Sequence, residues 1–243
     1  HGCYTARMPV AIVTGASRGI GRAIAEHLAR DGYDLFAVAR DQEALAELER
    51  LVTAIGGRAV SCVADLARPE APETVFLAFT KAFDQLELLV NNAGVATFTA
   101  FEEHTGAEWD AVMNVNARTP FFLTQLALPL LKRANPGYVV NMGSVMSKKG
   151  YASQSLYAAS KHALLGFTKS LARETADANI RVHAILPGSV NTGLLTSIKP
   201  EIDTSDLISP EEIADAVSDL LRMRGNAVID EIEIRRRSRP PWG

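Results

Sequence analysis

Tyr157 and Lys161 lie four residues apart in a run, Leu156–Ala178, whose apolar spacing predicts a helix. Four residues is about one helical turn, so the phenol and the ammonium leave the same face. A free tyrosine titrates near about 10 and is a weak acid or base at neutrality. A cation about 4 Å away, at an effective dielectric of about 20, favours phenolate by roughly 4 kcal/mol. That is roughly three pKa units, enough to bring the phenol near neutrality as a general acid or base. Ser144 lies thirteen residues before Tyr157, just after the apolar run Tyr138–Met142. A hydroxyl there can fold back and hydrogen-bond the oxygen that Tyr157 protonates. Such a pair also arises by chance on solvated helices, so its meaning depends on the rest of the chain.

The elements that must position these side chains alternate. Val10–Thr14 predicts a strand, and Gly19–Arg30 a helix with Ile20, Ile24 and Leu28 on one face. Leu35–Ala39 is a second strand, and Asp41 caps a helix carrying Leu45, Leu48 and Leu51. Ala59–Val63 is a third strand, followed by a helix over Pro69–Phe83 opened by its proline. Leu88–Val90 and Tyr138–Met142 are strands on either side of a long helical stretch, Glu108–Lys132, interrupted at Pro120. Val182–Leu186 is a sixth strand. Residues 188–208 have no period, hold Gly188, Gly193 and Pro200, and read as a lid that is mobile until ligand binds. Ser209-Pro210-Glu211-Glu212 is a capping box opening a helix to about Arg222, and Ala227–Ile234 is a last strand. Apolar strands alternating with helices predict an α/β protein: one Rossmann domain over 8–234, with a doubly wound parallel sheet of about seven strands and helices on both faces. With no repeat and no linker, cofactor and substrate share that domain, over the carboxyl ends of the strands.

The 243 residues, 47% of them hydrophobic, suffice for one core. A net charge of -3 gives no basic footprint for nucleic acid. No apolar run reaches the length of a membrane span, and no leader pattern opens the chain. Cys3 and Cys62 are too few for a disulfide framework and lack metal-site spacing, so no metal is expected and a cytoplasmic location is. His1–Arg7 precedes Met8 and is set aside as a cloning remnant. Residues 235–243 form a basic, proline-containing tail, read as solvated or subunit-crossing.

Between the first strand and helix the chain reads T-G-A-S-R-G-I-G, from Thr14 to Gly21. Bare backbone at Gly15, Gly19 and Gly21 lets a pyrophosphate approach, and the helix start supplies amide donors. The second strand ends at Ala39 and Arg40, where an enzyme using NAD usually places an acid. Asp41 sits one position too late and fits better as a cap. Arg18 and Arg40 converging on one site suit a phosphate, which favours NADP over NAD.

Ser-x12-Tyr-x3-Lys and T-G-x3-G-I-G resemble the active site and cofactor loop of the short-chain dehydrogenase/reductase family. Further matches follow in order: Asp65 with Leu66 after strand three, N-N-A-G at Asn91–Gly94, Val115-Asn116, and P-G-S-V-N-T at Pro187–Thr192. The resemblance implies that Ser17, Ile20, Asn92, Ala93 and Gly94 lie against the cofactor, and that Asp65 meets the adenine. It implies that Pro187, Gly188, Val190 and Thr192 touch the nicotinamide. Tyr157 exchanges a proton with the substrate oxygen, Lys161 lowers its pKa and holds the nicotinamide ribose, and Ser144 orients the oxygen. Asn116 supports a water relay to Lys161, and a kink at Pro120 frees the Asn116 carbonyl for that water. Val145, Met146, Tyr151, Leu194 and Leu195 are candidate substrate contacts. Family members are usually dimers or tetramers built through the Glu108 and Tyr157 helices.

The expected function is NADP(H)-dependent hydride transfer between nicotinamide and a ketone, aldehyde or alcohol. Reduction of a 3-oxoacyl thioester on a carrier protein is the alternative, although Asn135 and Ala178 stand where such reductases often carry basic residues, with Lys132 and Arg133 nearby. A noncatalytic NADP-binding sensor is the third reading. The chain also departs from the family's usual glycine-rich ending, reading I-D-E-I-E-I-R-R-R instead.

Overall fold

Every residue of β1 (Val10–Thr14) is buried, and its side chains alternate between two cores. Ala11 and Val13 face one cluster and Val10 and Ile12 the other, which is why the strand reads as a continuous apolar run. The computed structural model describes residues 7–198, 201, 203–223 and 225–241, with the main chain alone for 196–198. The other strands are β2 (Asp34–Ala39), β3 (Ala59–Val63), β4 (Leu88–Asn91), β5 (Gly137–Met142), β6 (Ile180–Pro187) and β7 (Glu231–Ile234). They form one parallel sheet in the order β3-β2-β1-β4-β5-β6-β7.

Helices α1 (Gly19–Arg30), α2 (Gln42–Ala54) and α8 (Pro210–Arg222) cover one face, through Ile24, Leu28, Leu45, Leu48, Ile213 and Val217. Helices α3 (Ala71–Ala82), α5 (Thr119–Leu131) and α6 (Ser155–Glu174) cover the other, through Val75, Phe79, Leu123 and Leu171. This is the doubly wound Rossmann architecture. The chain moves outward from β1 to β3, then restarts at β4 on the opposite side of β1. That reversal opens a crevice at the carboxyl ends of β1 and β4.

Several boundaries differ from the sequence reading. Pro69 belongs to a turn closed by the Ala71 amide on the Arg68 carbonyl, and α3 begins at Ala71 with Pro72 in its first turn. The stretch read as one helix over Glu108–Lys132 is α4 (Gly106–Met113), a π-helical segment (Asn114–Arg118), and α5. The Thr119 amide reaches back to the Asn114 carbonyl, so one extra residue enters the turn before Pro120. The break is therefore a π-bulge, with Pro120 near the start of α5. The α6 helix stops at Glu174, and a 3-10 turn covers Ala176–Ala178. Residues 188–208 are less irregular than expected, because α7 spans Gly193–Ile198. Pro200, invoked for the lid, lies outside the described residues, as does Cys3. The last strand is shorter than Ala227–Ile234, since only Glu231–Ile234 pairs with β6.

Candidate active site

At the end of β1 the chain turns at Gly15, with φ of 70°, and donates its amide to the Val38 carbonyl at 2.7 Å. A Cβ on Gly21 would lie 2.2 Å from the Gly15 carbonyl oxygen and 2.3 Å from Asn92 Nδ2, so only glycine lets the turn close. Arg18 caps α1 without a side-chain bond, and the first turn holds no acid. The helix start is left as a set of amide donors at its positive end, as an anion requires. Thr14 and Asn92 staple this loop to β4. Thr14 Oγ1 accepts from the Asn92 and Ala93 amides at 3.0 and 3.1 Å, and Asn92 Nδ2 donates to the Thr14 carbonyl at 2.9 Å.

A cleft of about 610 Å³ runs from this loop to Tyr157 and Lys161. Gly15, Ser17, Gly19, Ile20 and Gly21 form its floor, and Asn92, Ala93 and Gly94 its inner wall. Arg18 and Arg40 both border it, with Ala39 rather than an acid at the end of β2. Asp41 caps α2 by accepting from the Ala44 amide at 3.1 Å, and also touches the cleft edge. Asp65 accepts from the Ala67 amide at 3.1 Å and borders the cleft beside Leu66. Pro187, Thr192, Gly193 and Leu194 close the far wall.

Ser144 ends the β5 turn and caps a 3-10 turn over Val145–Ser147. Its Oγ accepts from the Met146 amide at 3.2 Å, while Ser147 Oγ accepts from the Ser144 amide at 3.1 Å. With a lone pair so occupied, the hydroxyl proton is free to be donated into the site. The Ser144 hydroxyl also pulls the Tyr157 phenol downward, which places the two side by side although thirteen residues separate them. Lys161 is 3% exposed, donates to the Met142 carbonyl at 2.8 Å, and has its Nζ 5.8 Å from the Tyr157 ring centre.

The electrostatics differ from the sequence estimate. Burial pushes the Tyr157 phenol up to about 12, against a smaller downward pull from Ser144, and burial pushes Lys161 down to about 8. Desolvation of the phenolate outweighs the pull of the Ser144 hydroxyl, so the chain's own groups keep the phenol protonated at neutrality. That is the form a proton donor needs.

Asn116 is fully buried and acts as a clamp. Its Oδ1 accepts from the Val95 amide at 2.9 Å, and its Nδ2 donates to the Val95 carbonyl at 2.8 Å and to Ser160 Oγ at 2.9 Å. It thereby ties the loop after β4 to α6. Pro120 offers no amide to the Asn116 carbonyl.

Other candidates stand apart from the cleft. Val190 is 5% exposed, packs in the core, and bridges to Ile208. Gly188 gives its amide to the Ile234 carbonyl at 2.7 Å. Val145 and Met146 are half-buried in the turn after Ser144, and Tyr151 is 51% exposed. Of the two leucines, Leu194 borders the cleft and Leu195 does not. The sequence reading missed Val95, Ala111 and Val112, and gave Val115 only as part of the Val115-Asn116 match; all four also border it. The last three lie one, and then three, residues apart on one stretch, a spacing that could have marked them as a face.

Residues 9–203 match the family model for short chain dehydrogenases, and the chain belongs to that family. Its members are oxidoreductases acting on CH–OH and C=O groups. The chain is 34% identical over 217 residues to a 3-oxoacyl-(acyl-carrier-protein) reductase of Vibrio cholerae, covering 86% of this chain and 88% of that protein. It is equally 34% identical over 203 residues to a 2-dehydro-3-deoxy-D-gluconate 5-dehydrogenase of Bacillus subtilis, covering 83% of this chain and 78% of that one. A metagenomic short-chain oxidoreductase solved in complex with NADP superposes with a TM-score of 0.82 at 35% identity, over 94% of this chain and 96% of that one. No described helix is long and apolar enough to cross a membrane, and the described residues hold no cluster suited to a metal ion.

Proposed function

We propose that the chain is an NADP(H)-dependent carbonyl reductase or alcohol dehydrogenase acting on a small molecule, with 8–234 as its single domain. The observation that carries this is Tyr157, with Ser144 beside it, and Lys161 at one end of a cleft whose other end holds bare α1 amides with Arg18 and Arg40. NADP(H) held by the α1 amides, Arg18 and Arg40 would supply or accept the hydride there. Tyr157 gives its proton to the carbonyl oxygen in reduction and removes one from the alcohol in oxidation. Ser144 donates a hydrogen bond to that oxygen as charge develops on it. Lys161, held on the Met142 carbonyl, is a fixed cation that resupplies the proton and steadies the nicotinamide ribose. Gly188 and Val190 then contribute through the main chain, while Tyr151, Val145, Met146 and Leu195 stand ready to meet substrate outside the cofactor cleft.

NADP rather than NAD is supported by Arg18 and Arg40 beside Ala39, and by the NADP-bound relative. A homodimer or homotetramer is supported by Trp109 and Phe121, 50% and 44% exposed on α4 and α5, with Phe121 packed on Phe167 of α6. The free, buried Cys62 thiol fits the cytoplasm. Thioester reduction is the second reading, favoured by the Vibrio cholerae relative. The equal identity to a sugar-acid dehydrogenase means that likeness alone does not choose between substrates. A panel of ketones, aldehydes, sugars and acetoacetyl thioesters, followed by NADPH absorbance, tests both. Turnover of free carbonyls is expected, a strong preference for thioesters would select the second reading, and no turnover of any class would refute both.

A further inference from the structure

The chain's ending, I-D-E-I-E-I-R-R-R, has no part in the chemistry above. Its residues nevertheless reach the wall of the site. The arm that carries Thr192, Gly193 and Leu194 into the cleft leaves after Ser189 and returns at Ile208. Its neck is closed by the Asn191 amide on the Ile208 carbonyl at 2.8 Å and the Ile208 amide on the Ser189 carbonyl at 3.1 Å. Val190 and Ile208, 5% and 6% exposed, anchor that neck in the core.

Two residues before the neck closes, Asp206 accepts from Arg236 Nη1 at 3.2 Å, and its carboxylate also accepts from Ser238 Oγ. The Arg236 side chain is only 13% exposed, against 46% for Asp206. Arg236 is no loose tail residue. β7 ends two positions earlier at Ile234, whose carbonyl receives the Gly188 amide at the root of the same arm. On its other side the tail is folded by the Arg239 amide on the Arg236 carbonyl at 3.1 Å. Arg235 Nη1 reinforces that turn by donating to the carbonyls of Arg236, Arg237 and Arg239. The guanidinium is thus presented to Asp206 by the sheet on one side and a closed turn on the other.

We infer that Arg236 is a positioning residue, which through Asp206 holds the neck where Ser189 and Asn191 meet Ile208, and so the cleft wall formed by Thr192, Gly193 and Leu194. Loosening the arm lowers the fraction of protein ready to bind, and apparent affinity falls by that fraction. Chemistry at Tyr157 is untouched, so KM rises and kcat holds.

The test uses hydrogen exchange on the ligand-free protein together with steady-state kinetics in NADPH and the best carbonyl of the panel. Only the kinetic part rests on the proposed reaction, so a failure of that reading leaves the exchange result interpretable. Arg236→Ala and Asp206→Arg should each speed exchange at the Asn191 and Ile208 amides by about three- to tenfold. KM should rise by a similar factor, with kcat within about twofold. The double swap Asp206→Arg with Arg236→Asp should recover at least half of both effects, a rescue that a general packing defect would not give. Ser238→Ala, which leaves the ion pair, should move exchange in the same direction by less. Unchanged exchange at Asn191 and Ile208 in Arg236→Ala, or a swap no better than the worse single variant, would overturn the inference.

Discussion

Asn116→Ala probes the clamp between the loop after β4 and α6. The side chain is 0% exposed and makes three hydrogen bonds, two with Val95 and one with Ser160. Each is worth about 1 kcal/mol net, and a buried group left without its partner costs about 1–3 kcal/mol. Ser160 Oγ keeps its own donation to the Tyr157 carbonyl at 2.7 Å, so the exposed cost falls mainly on the amide and carbonyl of Val95. The sum is a loss of roughly 3 kcal/mol, which is about two powers of ten in an opening equilibrium. Exchange at the single Val95 amide should therefore accelerate about a hundredfold, and urea unfolding at fixed protein concentration should show a comparable loss. Asn116→Asp keeps an acceptor for the Val95 amide and loses both donations, so its Val95 amide should stay better protected than in Asn116→Ala. A Val95 exchange rate within about threefold of the parent would refute the clamp.

Arg40→Ala should weaken NADPH about ten- to a hundredfold by kcat/KM, while NADH changes little, since a charge-assisted phosphate contact is worth about 1.5–3 kcal/mol. Equal or better kcat/KM with NADH in the unmodified protein would contradict it. Burial takes Lys161 from 10.5 to about 8, so between those pH values the unfolded chain binds the extra proton and stability should climb with pH. Burial takes Tyr157 from 10.0 to about 12, so between those values the folded chain binds more and stability should fall. Lys161→Met should abolish a rise of roughly 3 kcal/mol in urea-measured stability, and an unchanged slope in the variant would count against the buried ammonium. A high-resolution crystal structure should show a water bonded to both the Asn116 carbonyl and Lys161 Nζ, because Pro120 provides no amide there. A later backbone amide on that carbonyl, with no water near Lys161, would remove the relay.

The alternation of apolar strands and helices was legible because both faces of the sheet are covered. The glycine loop was legible because its spacing answers a backbone constraint that the Gly21 contacts make visible. The π-bulge at Asn114–Arg118 was not, since one extra residue in a turn leaves the hydrophobic period nearly intact and only Pro120 signals a break. Helix α7 escaped because six residues are too few to show a period. The burial that holds the Tyr157 phenol up was not legible, because spacing gives proximity but not desolvation. The network linking Asn91, Asn141, Thr124 and Thr168 joins residues far apart in the chain, and nothing local announces it. The hold of Arg236 on Asp206 was hidden likewise, because 30 residues separate a tail that reads as solvated from its partner.

The account's central claim is that Tyr157 is the proton donor of a hydride-transfer site. Tyr157→Phe removes one oxygen and keeps the ring that lines the cleft. Carbonyl-dependent NADPH oxidation by the purified variant should fall by about 10²–10⁴, while its NADPH dissociation constant, read by fluorescence, stays within about threefold. Turnover above about a tenth of the parent rate, with NADPH binding intact, would contradict the account.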